Sequence, residues 1–134
     1  MMTHIEIPGQ PQGKGRPRFT KSGHAYTPEK TRQYEKAVRE CYEEQGYGLH
    51  FSGPVALEIL AVFRIPKSRS KKDQERMLFG EIKPTTKPDA DNIGKAIADA
   101  LNGIAYDDDK QITSLLVRKQ YGTHPGTFVT IQDA

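Results

Sequence analysis

The chain has 134 residues, a formal net charge of +3 and 35% hydrophobic residues, which predicts one domain, residues 1–134, around a lean core. No apolar run approaches the ~20 residues that span a bilayer. The first ten residues lack the basic and apolar regions of a secretion signal, and the single cysteine, Cys41, excludes an intrachain disulfide and a cysteine-rich zinc site. The expected protein is cytoplasmic and has no membrane partner, with room for a dimer interface to supply part of its buried surface.

In chain order, Thr3–Ile7 alternates as a short strand. The following "PGQPQGKGRPRF" holds too many Gly and Pro residues for a regular element and reads as a basic loop. Thr27-Pro28-Glu29 predicts a helix start, with Thr27 as cap, Pro28 in the first turn and Glu29 near the positive end of the dipole. Tyr34, Ala37, Val38, Cys41 and Tyr42 then form one helical stripe, which Gly46 and Gly48 end. Pro54–Ile65 has the pattern of an interior strand, apolar at Val55, Leu57, Ile59, Ala61, Phe63 and Ile65 and partly apolar on its other side. A short basic helix is expected at Lys71–Phe79. A second main helix is expected from about Asn92 to Asn102, with Ile93, Ile97, Ala100, Leu101 and Ile104 inward and Gly103 as its stop. Ile112–Tyr121 and Thr127–Gln132 read as strands joined by the turn "GTHPG". The expected fold class is α+β: a compact domain with a largely antiparallel or mixed sheet and two main helices packed on it.

Charge is unevenly spread. Lys14, Arg16, Arg18 and Lys21 lie in one stretch without acids. Arg64, Lys67, Arg69, Lys71, Lys72 and Arg76 face only Asp73 and Glu75 in another. Such runs either solvate a surface or grip a polyanion. The acids concentrate later, in "KPDADNIGK", residues 87–95, and in Asp107-Asp108-Asp109. Behind Pro88 the chain is expected to stay extended up to the helix, so Asp89 and Asp91, two apart, project together. Lys95, four residues past Asp91, falls on the same side. A helix of roughly 11 residues is only about 16 Å long, short enough for the Asp107–Asp109 run to return to that neighbourhood. Hard divalent ions prefer such oxygen donors. A plain helix cap at Asp91 and a solvated aspartate turn fit the spacing equally well. A calcium-binding EF-hand loop does not, because its fifth position is Ile93 and its twelfth Ala100. "GQPQGKG" lacks the spacing of a phosphate-cradling P-loop.

The segment "KPDADNIGKAIADALNGIAYDDDKQI", residues 87–112, resembles the signature of the RusA-type Holliday-junction resolvases, endodeoxyribonucleases common in prophages. "KGRPRF" and "AYTPEKTRQYE" are similar to N-terminal segments of its phage-type members. The resemblance implies catalytic roles for Asp89, Asp91, Lys95 and Asp109. It implies metal ligation by Asp89, Asp91 and Asp109, with Asp108 as an alternative donor, and a supporting role for Asn92 toward Asp91 or a water. Gly94 departs from the family, which usually carries a larger residue there; glycine costs about 0.5–1 kcal/mol relative to alanine in a helix.

The implied protein is a homodimer that cuts branched, four-way DNA with Mg²⁺, or Mn²⁺ in its place, and needs no small-molecule cofactor. Its DNA contacts are expected from Lys14, Arg16, Arg18 and Lys21 and from Arg64, Lys67, Arg69, Lys71 and Lys72. Phe19 and Tyr26 are candidates for stacking at the branch point, or for ordinary packing on the sheet. Two alternatives stay open: a branched-nucleic-acid-binding module without catalysis, and a nuclease of the same chemistry acting on flaps or forks. His4, His24, His50 and His124 have no metal-ligand spacing.

Overall fold

A computed structural model describes residues 1–134. Its main sheet has the order β1-β6-β4-β5, with β1 (Met2–Pro8), β4 (Val55–Arg64), β5 (Ile112–Gly122) and β6 (Gly126–Asp133). β6 pairs antiparallel with both β1 and β4, whereas β5 runs parallel to β4. The turn at 122–126 therefore makes no hairpin, because β4 lies between the two strands it connects. A parallel pair needs a crossover, and residues 65–111 supply it through α2 (Lys71–Leu78) and α3 (Ala90–Ala100). The fold is α+β with a mixed sheet, as expected.

Helix α1 (Glu29–Gln45) buries Thr31, Tyr34, Val38 and Tyr42. Pro28, not Thr27, occupies its cap position, and no side chain caps it. Helix α2 is capped by Ser70, whose hydroxyl accepts from the Asp73 N–H at 3.1 Å. The inward residues of α1 and α3 meet Leu57, Ile59, Ala61 and Phe63 of β4 in one core. Gly94 belongs to that packing: a Cβ there would sit 3.1 Å from Leu115 Cδ2 and 3.2 Å from Val117 Cγ2. The glycine lets α3 approach β5, so the propensity it forfeits accompanies a close contact rather than a loose first turn.

The opposite face of the sheet meets a helix only at one end, where α2 reaches it. Leu60, Val62 and Phe128, with Leu78 from α2, line a depression there, and Leu116 lies beside Glu58, Arg118 and Phe128. The loop after β1 contains a small exposed hairpin, β2 (Arg18–Phe19) with β3 (Ala25–Tyr26), that the Gly/Pro content had obscured.

Candidate active site

Helix α3 begins at Ala90 and ends at Ala100, two residues before the expected start and end at Asn92 and Asn102. Asp89 is its cap residue, in extended geometry, and Asp91 already lies in the first helical turn. The chain thus does not stay extended through Asp91. Asp89 makes no side-chain capping bond, and Asp91 has neither a hydrogen bond nor an ion pair, so both carboxylates remain available to a ligand. Asp91, Lys95 and Asp99 follow at intervals of four along one side of α3. The Lys95 ammonium leans toward Asp99, at 3.9 Å.

Asp99 is the residue the sequence reading missed. The Lys14 ammonium donates to Glu35 Oε1 at 2.8 Å and lies 3.0 Å from Asp99 Oδ2, joining the basic loop to α1 and α3. Burial works against the Lys14 charge, but hydrogen bonds and attraction from Glu35 and Asp99 outweigh it and raise its pKa above the ordinary value. Of the four cations expected to meet DNA in this loop, Lys14 is thus turned inward. Its backbone is fixed as well: Asn92 Nδ2 donates to the Lys14 carbonyl at 3.1 Å, and the Lys14 N–H donates to the Asn92 carbonyl at 3.4 Å. Asn92 therefore clamps the loop to α3 and does not orient Asp91.

The three consecutive aspartates face three different environments. Asp107 accepts from His50 Nε2 at 2.9 Å, while His50 Nδ1 faces the Ile104 carbonyl at 3.2 Å. The Ile104 carbonyl and Asp107 together raise the pKa of His50. Asp108 caps the short 3-10 turn Asp109–Gln111, accepting from the Lys110 N–H at 2.9 Å, a bond that draws its pKa down. Asp109 instead sits against the carboxyls of Asp108 and Asp99. Burial, then hydrogen bonding to Asp108 and Asp99, keeps its pKa above the usual carboxylate range.

Gln111 explains how the turn is held. Its Oε1 accepts from the Asp107 and Asp108 N–H groups at 2.9 and 3.1 Å, while its Nε2 donates to the Phe51 and Gly53 carbonyls at 2.9 and 3.0 Å. Buried Tyr106 adds an anchor to α3, its hydroxyl donating to the Ala98 carbonyl at 2.7 Å. Only an amide can serve both sides of this staple. Gln111→Glu would face two carbonyls with a carboxylate and should cost roughly 3 kcal/mol, two part-buried acceptors being left unsatisfied. A thermal melt checks this; an unchanged Tm would show that the turn holds without the amide.

No three of the His, Cys, Asp and Glu side chains converge closely enough to form a metal cage. The donor chemistry nevertheless suits a hard divalent ion: only carboxylates are offered, Asp89 and Asp91 are unengaged, and Asp109 is crowded by like charges that a cation would relieve.

Among the remaining basic residues, Arg69 and Arg76 pair with Asp73, at 3.0 and 3.8 Å, and Arg76 also pairs with Glu81 at 3.1 Å. Arg64, Lys67, Lys71 and Lys72 carry no ion pair. Phe19 and Tyr26, 69% and 49% exposed on the β2–β3 hairpin, do not pack on the sheet.

The sequence model of the family described as "Endodeoxyribonuclease RusA" matches residues 8–132. The chain is also 35% identical over 130 residues to a protein of Bacillus subtilis (strain 168) named "Uncharacterized protein YqaN", with 93% of this chain and 92% of that protein covered.

Proposed function

Since the chain belongs to the RusA endodeoxyribonuclease family, we propose that it is a divalent-metal-dependent nuclease that resolves four-way DNA junctions by paired hydrolysis of two strands. The observation that carries this reading is the return of the Asp107–Asp109 turn to α3. Tyr106, the residue just before it, donates to the Ala98 carbonyl at 2.7 Å, on the helix that also bears Asp91 and Lys95 and is capped by Asp89.

Asp89, Asp91 and Asp109 are the residues that would hold the ion. Asp108 is the weaker candidate because its carboxylate already caps Lys110. A bound Mg²⁺ or Mn²⁺ supplies neutralisation of phosphate charge and activation of the attacking water. In the hydrolysis the water oxygen bonds to phosphorus as the bond to the 3′ oxygen breaks. One water proton ends on that oxygen, leaving a 3′-hydroxyl and a 5′-phosphate. The Lys95 ammonium, mostly exposed and free to move, stabilises charge on the leaving oxygen. Lys14 and Gln111 act through others: the first fixes Asp99 and the basic loop, the second fixes the turn that carries Asp109.

A homodimer matches the two-fold character of a four-way junction. The uncovered sheet face supports a second copy as its occupant. Leu116 and Phe128 are exposed there beside Glu58 and Arg118, opposite charges that have no partner within the chain. Related by a two-fold axis, such a surface is self-complementary. The exposed Phe19 and Tyr26 are available to stack on bases at the branch point, and Arg64, Lys67, Lys71 and Lys72 to meet phosphates.

The test is a synthetic four-way junction with end-labelled strands, incubated with the protein in Mg²⁺, in Mn²⁺ and in EDTA, and resolved on a denaturing gel. Paired symmetric nicks only with metal are expected. Binding without cutting in either metal would leave a junction-binding module, and cutting confined to flap or fork substrates would reassign the substrate.

A further inference from the structure

A cavity of about 500 Å³ opens between the loop 11–18 and Lys87-Pro88. Arg16, Arg18, Lys30 and Lys87 line it together with prolines, no acidic side chain does, and none of the four takes part in any ion pair of the chain. Four unpaired like charges around one cleft repel one another, and an anionic ligand relieves that repulsion. Its charge favours a phosphate, for which arginine offers a paired donor fork and lysine a point charge.

The cleft is also joined to the candidate active site. A second cavity of about 240 Å³ shares Gly13, Arg16, Lys87 and Pro88 with the first and ends at Asp89 and Asn92. A path thus leads from the cationic cleft to a carboxylate expected to hold the metal. Its loop wall is fixed in advance. A side chain at Gly13 would run into Asn92 and Pro88, and one at Gly15 into Thr31. Between them Lys14 is tied by both backbone and ammonium, and the Gly15 N–H donates to Thr31 Oγ1 at 3.0 Å. A cationic wall already held in place loses little freedom on binding.

We propose that this cleft is a phosphate subsite for the DNA strand being cut, holding a phosphodiester that neighbours the attacked one. The inference rests on the nuclease reading and deepens it: Lys30 and Lys87 join Arg16 and Arg18 as strand contacts, and Lys14 serves as the loop's anchor rather than as a contact.

The experiment is a double cycle on binding, measured in EDTA so that no strand is cut. Junctions carrying one neutral methylphosphonate at either phosphate flanking the cut are titrated with wild type, with the Arg16→Gln/Lys87→Gln double variant and with Lys36→Gln as a control on α1. Neutralising one of the two flanking phosphates should weaken wild type and Lys36→Gln about tenfold, as expected for a lost charge-assisted contact. It should change the double variant by less than about twofold, and that variant's salt slope on unmodified DNA should be shallower by about 1, one phosphate no longer neutralised. Arg16→Lys/Lys87→Arg, which keeps both charges, should restore the wild-type penalty and shows that the site is otherwise intact. Equal penalties in all variants at both positions would overturn the subsite. Coupling in a protein that never nicks DNA in Mg²⁺ or Mn²⁺ would remove the nuclease reading and leave the subsite standing. A wild type that does not bind the junction would overturn both.

Discussion

Asp91→Asn should bind a four-way junction with nearly wild-type affinity and cut it at least about 10³-fold more slowly, a loss of roughly 4 kcal/mol of transition-state stabilisation. The substitution preserves size and removes only charge. Asp91 takes no part in the structure's hydrogen bonds or ion pairs, so it has no fixed partner to lose. What the fold does lose is an acid in the first turn of α3, worth about 0.3–1 kcal/mol near a helix N-terminus. A slightly lower Tm together with a collapsed single-turnover rate is therefore the signature of a lost metal donor. A uniformly destabilised protein would lose binding too. Cutting at the wild-type rate would remove Asp91 from the ligand set and leave it as an ordinary helix-start acid.

Leu116→Asp should convert the proposed dimer to a monomer. Leu116 lies on the uncovered sheet face, opposite Glu58 in the β4–β5 register and near Phe128. If two copies meet through this face, each contributes one new carboxylate with no added cation to receive it. An uncompensated polar group of this kind costs about 1–3 kcal/mol by mutational measure. Two of them predict a dissociation constant at least about 100-fold weaker. Sedimentation against concentration reads this directly. On a junction, the variant should give single nicks where the wild type gives paired ones. The monomer fold should persist, since the residue is exposed and belongs to no core contact. A variant that sediments as a dimer like its parent would place the interface elsewhere, and a monomeric wild type would remove the dimer from the mechanism.

Local physics made much of this molecule legible. The stripe through Tyr34, Val38 and Tyr42, the alternation along β4 and the Ile93–Ile97–Leu101 spacing each announced the face that packs inward. The crowded acids at 87–95 and 107–109 marked the two segments on which the proposed site is built. What stayed hidden depended on partners distant in sequence. Asp99 follows Asp91 and Lys95 in a visible four-residue rhythm, yet its meeting with Lys14 depends on a loop some eighty residues earlier. Gln111 read as part of a motif, but its hydrogen bonds reach back to Phe51 and Gly53. Gly94 looked like a weakness because the closeness of β5 cannot be read from a helix alone. The turn expected between β5 and β6 is there, but the strands it joins do not pair, because β4 lies between them and pairing across a sheet is decided by register and burial rather than by the shortest connection.

The position of β6 has a consequence for when activity can arise. It lies between β1 and β4 and follows every residue of the acidic site in the chain. During synthesis the aspartates and their helix therefore emerge from the ribosome while β1 and β4 still lack the strand that joins them. The sheet beneath the site closes only once residues 126–133 are out, which should keep a growing chain from cutting DNA before its fold is complete.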